Sequence, residues 1–188
     1  MRWFTESEGS IAGPHIASGN GRRTVLEARF ARIVSADAAA LSRLAATYTI
    51  TATDREDLLQ DIALAFWRAL PTFRGECSER SFLFRIAHNR GIRYLSRKHR
   101  FASLEGEQVD VEDPHPGAEA MLAEEQDSER LLRAMRSLPL IYREVLSLAL
   151  EDLSYAEIAQ VLAIGDSNVG VRINRARQLL RERLESLK

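Results

Sequence analysis

The chain has 188 residues, 45% of them hydrophobic and 28% charged, with a formal net charge of −1. That balance suits one compact domain or two small ones, and it excludes gross disorder and a membrane-resident chain: no uncharged stretch approaches the roughly 20 apolar residues that a membrane helix needs. The near-neutral total hides a polar arrangement, with 15 basic against 8 acidic residues over 21–100, 10 acids and no base over 101–129, and 10 bases against 7 acids over 130–188.

Residues 1–20 carry three glycines and a proline without an apolar period, which predicts a mobile tail; they also lack the apolar block of a signal peptide. From Thr24 the pattern is helical, with Val25, Leu26, Phe30, Ile33 and Val34 and then Ala38, Leu41, Leu44, Ala45 and Tyr48 recurring at three- and four-residue steps. Thr53 and Glu56 predict a capping box that opens a helix through Leu58, Leu59, Ile62, Ala63, Phe66 and Leu70, stopped by Pro71. A polar loop follows, then a helix from about Glu79 to Lys98.

The acidic, proline- and glycine-containing stretch 101–128 predicts a solvated linker. Beyond it a helix is expected over Ala118–Ser137 and another from Pro139 to about Leu150; Ser154 and Glu157 form a second capping box for a short helix through Leu162. After Ala163–Asp166 a last helix runs over Ser167–Ser186. No strand-like alternation or solenoid repeat is present, so the expected fold is all-α: two small helical bundles joined by an acidic flexible linker, the second containing a helix-turn-helix. The divisions are a tail (1–20), a first module (21–100), the linker (101–128) and a second module (129–188).

The short capped helix, tight turn and long helix at the C-terminal end form the helix-turn-helix pattern, in which the second helix enters the major groove. That helix offers Ser167, Asn168, Val171, Arg172, Arg175 and Arg177. An Arg guanidinium can grip guanine O6 and N7 with two parallel bonds, so Asn168, Val171, Arg172 and Arg175 are candidates for bases or adjacent phosphates and Arg177 for the backbone. The competing reading is a solvated stripe on a bundle helix. A plain helical hairpin, however, has no need of so short a first helix.

In the first module, Arg80 to Arg100 contains seven Lys or Arg and no acid, interleaved with Phe82, Phe84 and Tyr94. Arg85, Asn89, Arg93 and Arg97 stand four apart and line one side of a helix. A basic rail attracts phosphates, and aromatic faces hold unstacked bases, which together suit single-stranded or melting DNA. Phe82 and Phe84 are equally readable as core. Upstream, Glu56, Asp57, Gln60 and Asp61 form a polar flank; with no histidine in helical reach, a protein-contacting surface is expected rather than a catalytic pair. His15, His88, His99 and His115 show no metal-ligand spacing, and the lone Cys77 has no second thiol, so no metal, cofactor or enzymatic activity is expected.

At these residues the chain resembles the extracytoplasmic-function group of the sigma-70 family, the bacterial RNA polymerase subunits that select promoters. The string DREDLLQDIALAFW resembles the family segment that docks on polymerase, SFLFRIAHNRGIRYLSRKHR the helix that recognises and melts the minus-ten element, and the stretch from Leu138 to Leu180 the region that reads the minus-thirty-five element. Phe82 stands where the group usually has tryptophan. The resemblance implies that Glu56, Asp57, Gln60 and Asp61 bind the clamp helices of the largest polymerase subunit, with the flap of the second-largest subunit as a further contact. It implies that Arg80, Phe82, Arg85, His88, Asn89, Arg93 and Arg97 meet the minus-ten DNA, and that Ser167, Asn168, Val171, Arg172, Arg175 and Arg177 meet the minus-thirty-five DNA. It also implies a cytoplasmic setting, without membrane insertion, and an anti-sigma partner. The alternative is a stand-alone dimeric helix-turn-helix regulator, which would bind a palindrome without polymerase.

Overall fold

The computed structural model describes residues 17–105 and 123–186, with side chains described over 21–100 and 126–186. Among the described residues there are eight α-helices, one 3-10 turn and no strand. The first bundle holds α1 (Ala17–Ala36), α2 (Ala38–Tyr48), α3 (Ala52–Ala69), the 3-10 turn Leu70–Thr72 and α4 (Glu79–Glu105). The second holds α5 (Ala123–Arg136), α6 (Leu140–Ala149), α7 (Tyr155–Leu162) and α8 (Asp166–Ser186).

Helical spacing explains both cores. Leu58, Ile62 and Phe66 recur every four residues along α3 and share a buried cluster with Leu41 and Leu44 of α2 and Leu83, Phe84 and Ala87 of α4. In the second bundle Val169, Ile173 and Ala176 line the inner side of α8 and pack with Val145, Leu148 and Ile158. Phe84 is therefore core, while Phe82 is half-buried. One close approach demands glycine: a Cβ on Gly91 would lie 2.6 Å from the Tyr48 ring.

Several element ends differ from the sequence expectation. α3 is capped by Thr51, whose hydroxyl accepts the Asp54 N–H at 3.0 Å, two residues before the expected Thr53 box. Thr51 has the extended backbone that a cap requires, and Thr53 already lies inside the helix. α1 begins at Ala17, inside the expected tail, and α4 continues to Glu105 while α5 starts at Ala123, so helix occupies both ends of the expected linker. Residues 1–16 and 106–122, which hold most of the expected tail and linker, lie outside the described residues. The second capping box is present in both halves: the Glu157 N–H donates to Ser154 Oγ, and the Ser154 N–H donates to Glu157 Oε2.

The two bundles pack against each other: α4 lies on α7, and α2 on α5 and α6. Across this contact Arg43 donates from Nε and Nη2 to Glu151 at 2.9 and 2.6 Å, and Arg80 Nη2 donates to the Glu151 carbonyl at 2.7 Å. Arg136 Nε and Arg143 Nη1 donate to the carbonyls of Ala46 and Thr47, at 3.1 and 3.2 Å, where α2 ends. Those carbonyls belong to a helix C-terminus, where no further turn is available to satisfy them and a cation is favoured.

Candidate nucleic-acid interface

In the second bundle the turn between α7 and α8 decides how α8 is presented. Ala163 closes α7 in the left-handed region (φ 53, ψ 45), and the Gly165 carbonyl accepts the N–H groups of Asn168 and Val169 at 2.9 and 3.2 Å. α8 thus opens at Asp166, with Gly165 rather than Ser167 just ahead of its first turn. Burying Val169, Ile173 and Ala176 turns the other side of α8 outward, so Ser167, Asn168, Val171, Arg175 and Arg177 are exposed and Arg172 is half-buried. Arg172 Nε donates to Asn168 Oδ1 at 3.2 Å one turn back, and Arg175 Nη1 to Gln178 Oε1 at 2.9 Å, which steers both guanidinium groups along the outer face. Val171 is 68% exposed. An apolar side chain between arginines on an open helix face can meet a thymine methyl, which a solvated stripe has no reason to supply. Ser167, Asn168, Val171, Arg172 and Arg175 share this face, while Arg177, five residues beyond Arg172, is exposed on the other side of the buried stripe.

The basic helix α4 is built differently. Ser78 accepts the Ser81 N–H at 2.9 Å and starts the helix. Phe82 stacks on Phe73 with ring centroids 4.6 Å apart, and the guanidinium groups of Arg85 and Arg29 sit over these two rings, at 5.5 and 5.6 Å. Phe73, from the loop before α4, completes an aromatic platform whose pairing no helical period could reveal. Asn89, Arg93 and Arg97 are exposed along one side, Arg85 is half-buried, and Arg80 is held by Asp37 at 2.8 Å as well as by the Glu151 carbonyl.

His88 departs from its expected place on the DNA-facing side. It is only 8% exposed, with Nδ1 3.0 Å from the Tyr48 hydroxyl beneath the helix, and burial pushes its pKa down to about 4. It packs the bundle as a neutral ring and is withdrawn from the DNA set. The signal was available: His88 follows the fully buried Ala87 and lies four residues from Phe84, on the core side of α4.

Glu56, Asp57, Gln60 and Asp61 are all exposed on α3, away from Leu58 and Ile62. Asp57 and Asp61 border a groove of about 460 Å³ whose far wall carries Arg90, Arg93 and Arg97 of α4, with Arg90 Nη1 3.4 Å from Asp61. Among the described residues no group of three or more His, Cys, Asp or Glu could hold a metal ion. The groove pairs opposite charges rather than concentrating one, an arrangement suited to binding.

Comparison with known proteins bears on both halves. The family profile "Sigma-70 region 2" matches residues 33–101, and "Sigma-70, region 4" matches residues 128–180. The chain is 30% identical over 190 residues to the RNA polymerase sigma factor CnrH of Cupriavidus metallidurans, covering 96% of each chain. It is similar to the solved structure of CnrH in complex with the cytosolic domain of CnrY at a TM-score of 0.64, covering 90% of this chain and 92% of that one. It is 29% identical over 144 residues to the ECF RNA polymerase sigma-E factor of Escherichia coli K12, covering 71% of this chain and 75% of that protein. The fold is also that of the sigma factor RpoE, solved with the anti-sigma factor NepR from Bartonella quintana, with a TM-score of 0.69 at 21% identity over 84% of this chain and 97% of that one.

Proposed function

Since the chain belongs to the sigma-70 family and is an RNA polymerase sigma factor of the extracytoplasmic-function group, we propose that its two bundles divide the work of starting transcription. A stand-alone regulator is not favoured, because both halves match sigma-70 regions. The first bundle, over 21–100, docks on the clamp helices of the largest polymerase subunit through the exposed flank Glu56, Asp57, Gln60 and Asp61. It then uses Arg80, Phe82, Arg85, Asn89, Arg93 and Arg97 on the minus-ten DNA. The stacked Phe73 and Phe82 rings suit a base turned out of the duplex; extrusion costs a few kcal/mol, which stacking at about 1–3 kcal/mol per base offsets. The second bundle, over 129–188, sets α8 into the major groove of the minus-thirty-five element and meets the flap of the second-largest subunit. The role is non-enzymatic and needs no cofactor.

The observation that carries this reading is the outward face of α8, where Arg172 is oriented by Asn168 beside an exposed Val171. No described helix is long and apolar enough to cross a membrane, and we place the protein in the cytoplasm with polymerase. Because CnrH was solved with CnrY and RpoE with an anti-sigma factor, an anti-sigma partner is proposed here too. Transcription by core polymerase on a promoter library, with 5′ ends sequenced, tests the reading. New start sites sharing two upstream elements are expected only when the protein is added; unchanged initiation would overturn it.

A further inference from the structure

We infer that α1 carries a second phosphate track for opened promoter DNA, the stripe Arg22, Val25, Arg29 and Arg32, which takes the unpaired strand on the side of the aromatic platform away from the α4 rail. The inference rests on the sigma-factor reading and deepens it by adding a helix to the DNA site, because Arg80, Phe82, Arg85, Asn89, Arg93 and Arg97 all lie on α4.

The core side of α1 fixes its rotation. Phe30 stacks on Phe66 with ring centroids 5.8 Å apart and meets Trp67 edge-on at 5.3 Å, and Ile33 is buried. Helical spacing then sets Arg22, Val25, Arg29 and Arg32, at steps of three, four and three residues, on one flank beside that buried side. Arg29 Nε donates to Glu79 Oε1 at 2.7 Å and Arg32 Nη2 donates to Glu79 Oε2, so the first residue of α4 anchors the flank. With Arg85 beside the platform, four arginines face a single carboxylate. Arg22 is exposed, as are Arg32 and Val25, at 64% and 70%. Arg23 belongs to the other flank, where its Nε donates to Glu27 at 2.9 Å. A merely solvated flank accounts for the arginines, but not for an open valine among them or for a guanidinium held over the Phe73 ring.

A nucleotide turned onto the Phe73 and Phe82 rings has a phosphate on each side of it, and each needs a counter-charge. Arg85, Asn89, Arg93 and Arg97 run from the platform toward the C-terminal end of α4 and serve one side. Glu79 stands six residues before Arg85, about 9 Å back along the axis, and brings Arg29 and Arg32 to the other side. The stripe begins at the platform itself, since the Arg29 guanidinium lies 5.6 Å from the centre of the Phe73 ring. Arg22 and Arg32 are ten residues apart, about 15 Å along the helix, the length of roughly four stacked nucleotides of one strand. Arg32 commits Nη2 to Glu79 and keeps further N–H groups for phosphate oxygens. Val25, between the arginines, can lie against a sugar or a base. None of these contacts reads sequence; the track adds affinity for the open strand, whatever its bases.

Binding of the holoenzyme to a promoter template held open by mismatches at the minus-ten element, titrated with salt, tests the track. Each phosphate contact on a single strand contributes about 0.7 to the slope of log affinity against log salt, so Arg22→Ala and Arg32→Ala should each flatten the wild-type dependence by about that amount, and Arg32→Lys should restore it. Val25→Glu, at a position too open to disturb packing, sets a carboxylate among the phosphates and should weaken binding to the open template further. Arg23→Ala removes the same charge from the other flank and should leave the slope unchanged. All the variants should bind core polymerase as the wild type does. Single methylphosphonate linkages in the unpaired strand locate the contact: one beside the flipped base should cost the wild type affinity and cost Arg32→Ala nothing more. Unchanged slopes in both alanine variants overturn the track, as does an equal effect of Arg23→Ala or a loss confined to polymerase binding. Where an alanine variant is unstable, Val25→Glu decides. If the wild-type chain gives polymerase no affinity for the open promoter, the sigma-factor reading fails and takes the track with it; if it does and the variants match it, the track alone fails.

Discussion

The two DNA-facing helices, α4 and α8, are both arginine-rich but are built on opposite plans. On α8 the reading face and the packing face are separate: Val169, Ile173 and Ala176 hold the bundle, and Arg172 and Arg175 make local bonds within their own helix. On α4 the two roles overlap, since the Arg80 guanidinium lies 5.1 Å over the buried Phe84 ring and Phe82 touches both Phe66 of the core and Phe73 of the platform. A helix that reads intact duplex can be a rigid rail, whereas one that handles opened DNA draws its surface from the fold itself. Substitutions at exposed positions of α8 should therefore change reading alone, and those on α4 should change reading and stability together.

The hardest strain on that contrast is Phe84→Ala. Truncating a fully buried phenylalanine costs about 3–5 kcal/mol. Chemical denaturation should show that loss in the first bundle, together with weakened minus-ten opening; a variant that melts normally would mean α4 is as separable as α8.

Acidification comes next. An unfolded histidine protonates below about pH 6.5, but His88 in the fold resists until about pH 4. Its contribution is thus fully present above pH 6.5 and is lost as the pH falls through that window, by about 1.4 kcal/mol per unit. Stability should drop by on the order of 2 kcal/mol between pH 7 and pH 5, and the slope should be shallower in His88→Gln. Residues 129–188 contain no histidine, so any midpoint assigned to the second bundle should move less.

On the α8 side, Arg172→Ala should weaken minus-thirty-five recognition by about 1–3 kcal/mol and relax specificity at one position, with only a small change in melting, from the half-buried Glu144 carboxylate that loses a neighbouring cation. Holoenzyme binding to single-base promoter variants reads this out. Gly91→Ala should do the reverse. Its Cβ meets a Tyr48 ring that is pinned by burial and by the His88 bond, so overpacking at about 1–3 kcal/mol exceeds the roughly 1 kcal/mol of helix propensity gained. Melting should fall modestly, with the minus-thirty-five specificity unchanged.

How legible each half was in the sequence follows from the same contrast. The capping box at Ser154 and Glu157, the apolar period of α8 and its outward residues depend on neighbours a turn or two away, and all could be read directly. Which of Phe82 and Phe84 was core could not, because the deciding contacts come from Phe66 and Phe73, distant in the chain. His88 was misplaced because it entered the minus-ten set with its neighbours by family resemblance, without weighing its position among core residues. The contacts that Arg43, Arg136, Arg143 and Glu151 make between the bundles had no local signal, since those partners lie 71 to 108 residues away.

The smallest expected effect sharpens the contrast furthest. Arg177 is exposed on α8, and its side chain has no described partner; only its backbone carbonyl is engaged, by Arg181. Removing the guanidinium therefore leaves packing untouched, so Arg177→Ala should weaken holoenzyme binding almost equally across promoter sequences and reduce the salt slope by about 1. Arg97→Ala on α4 offers the matched measurement, since Arg97 is equally exposed but borders the groove shared with Asp57 and Asp61. If α4 is the composite surface described above, Arg97→Ala will reduce the salt slope and also alter core-polymerase binding, an effect that Arg177→Ala should lack. Identical behaviour of the two variants would show that exposed arginines on both helices act only as phosphate contacts, and would confine the difference between the helices to their buried sides.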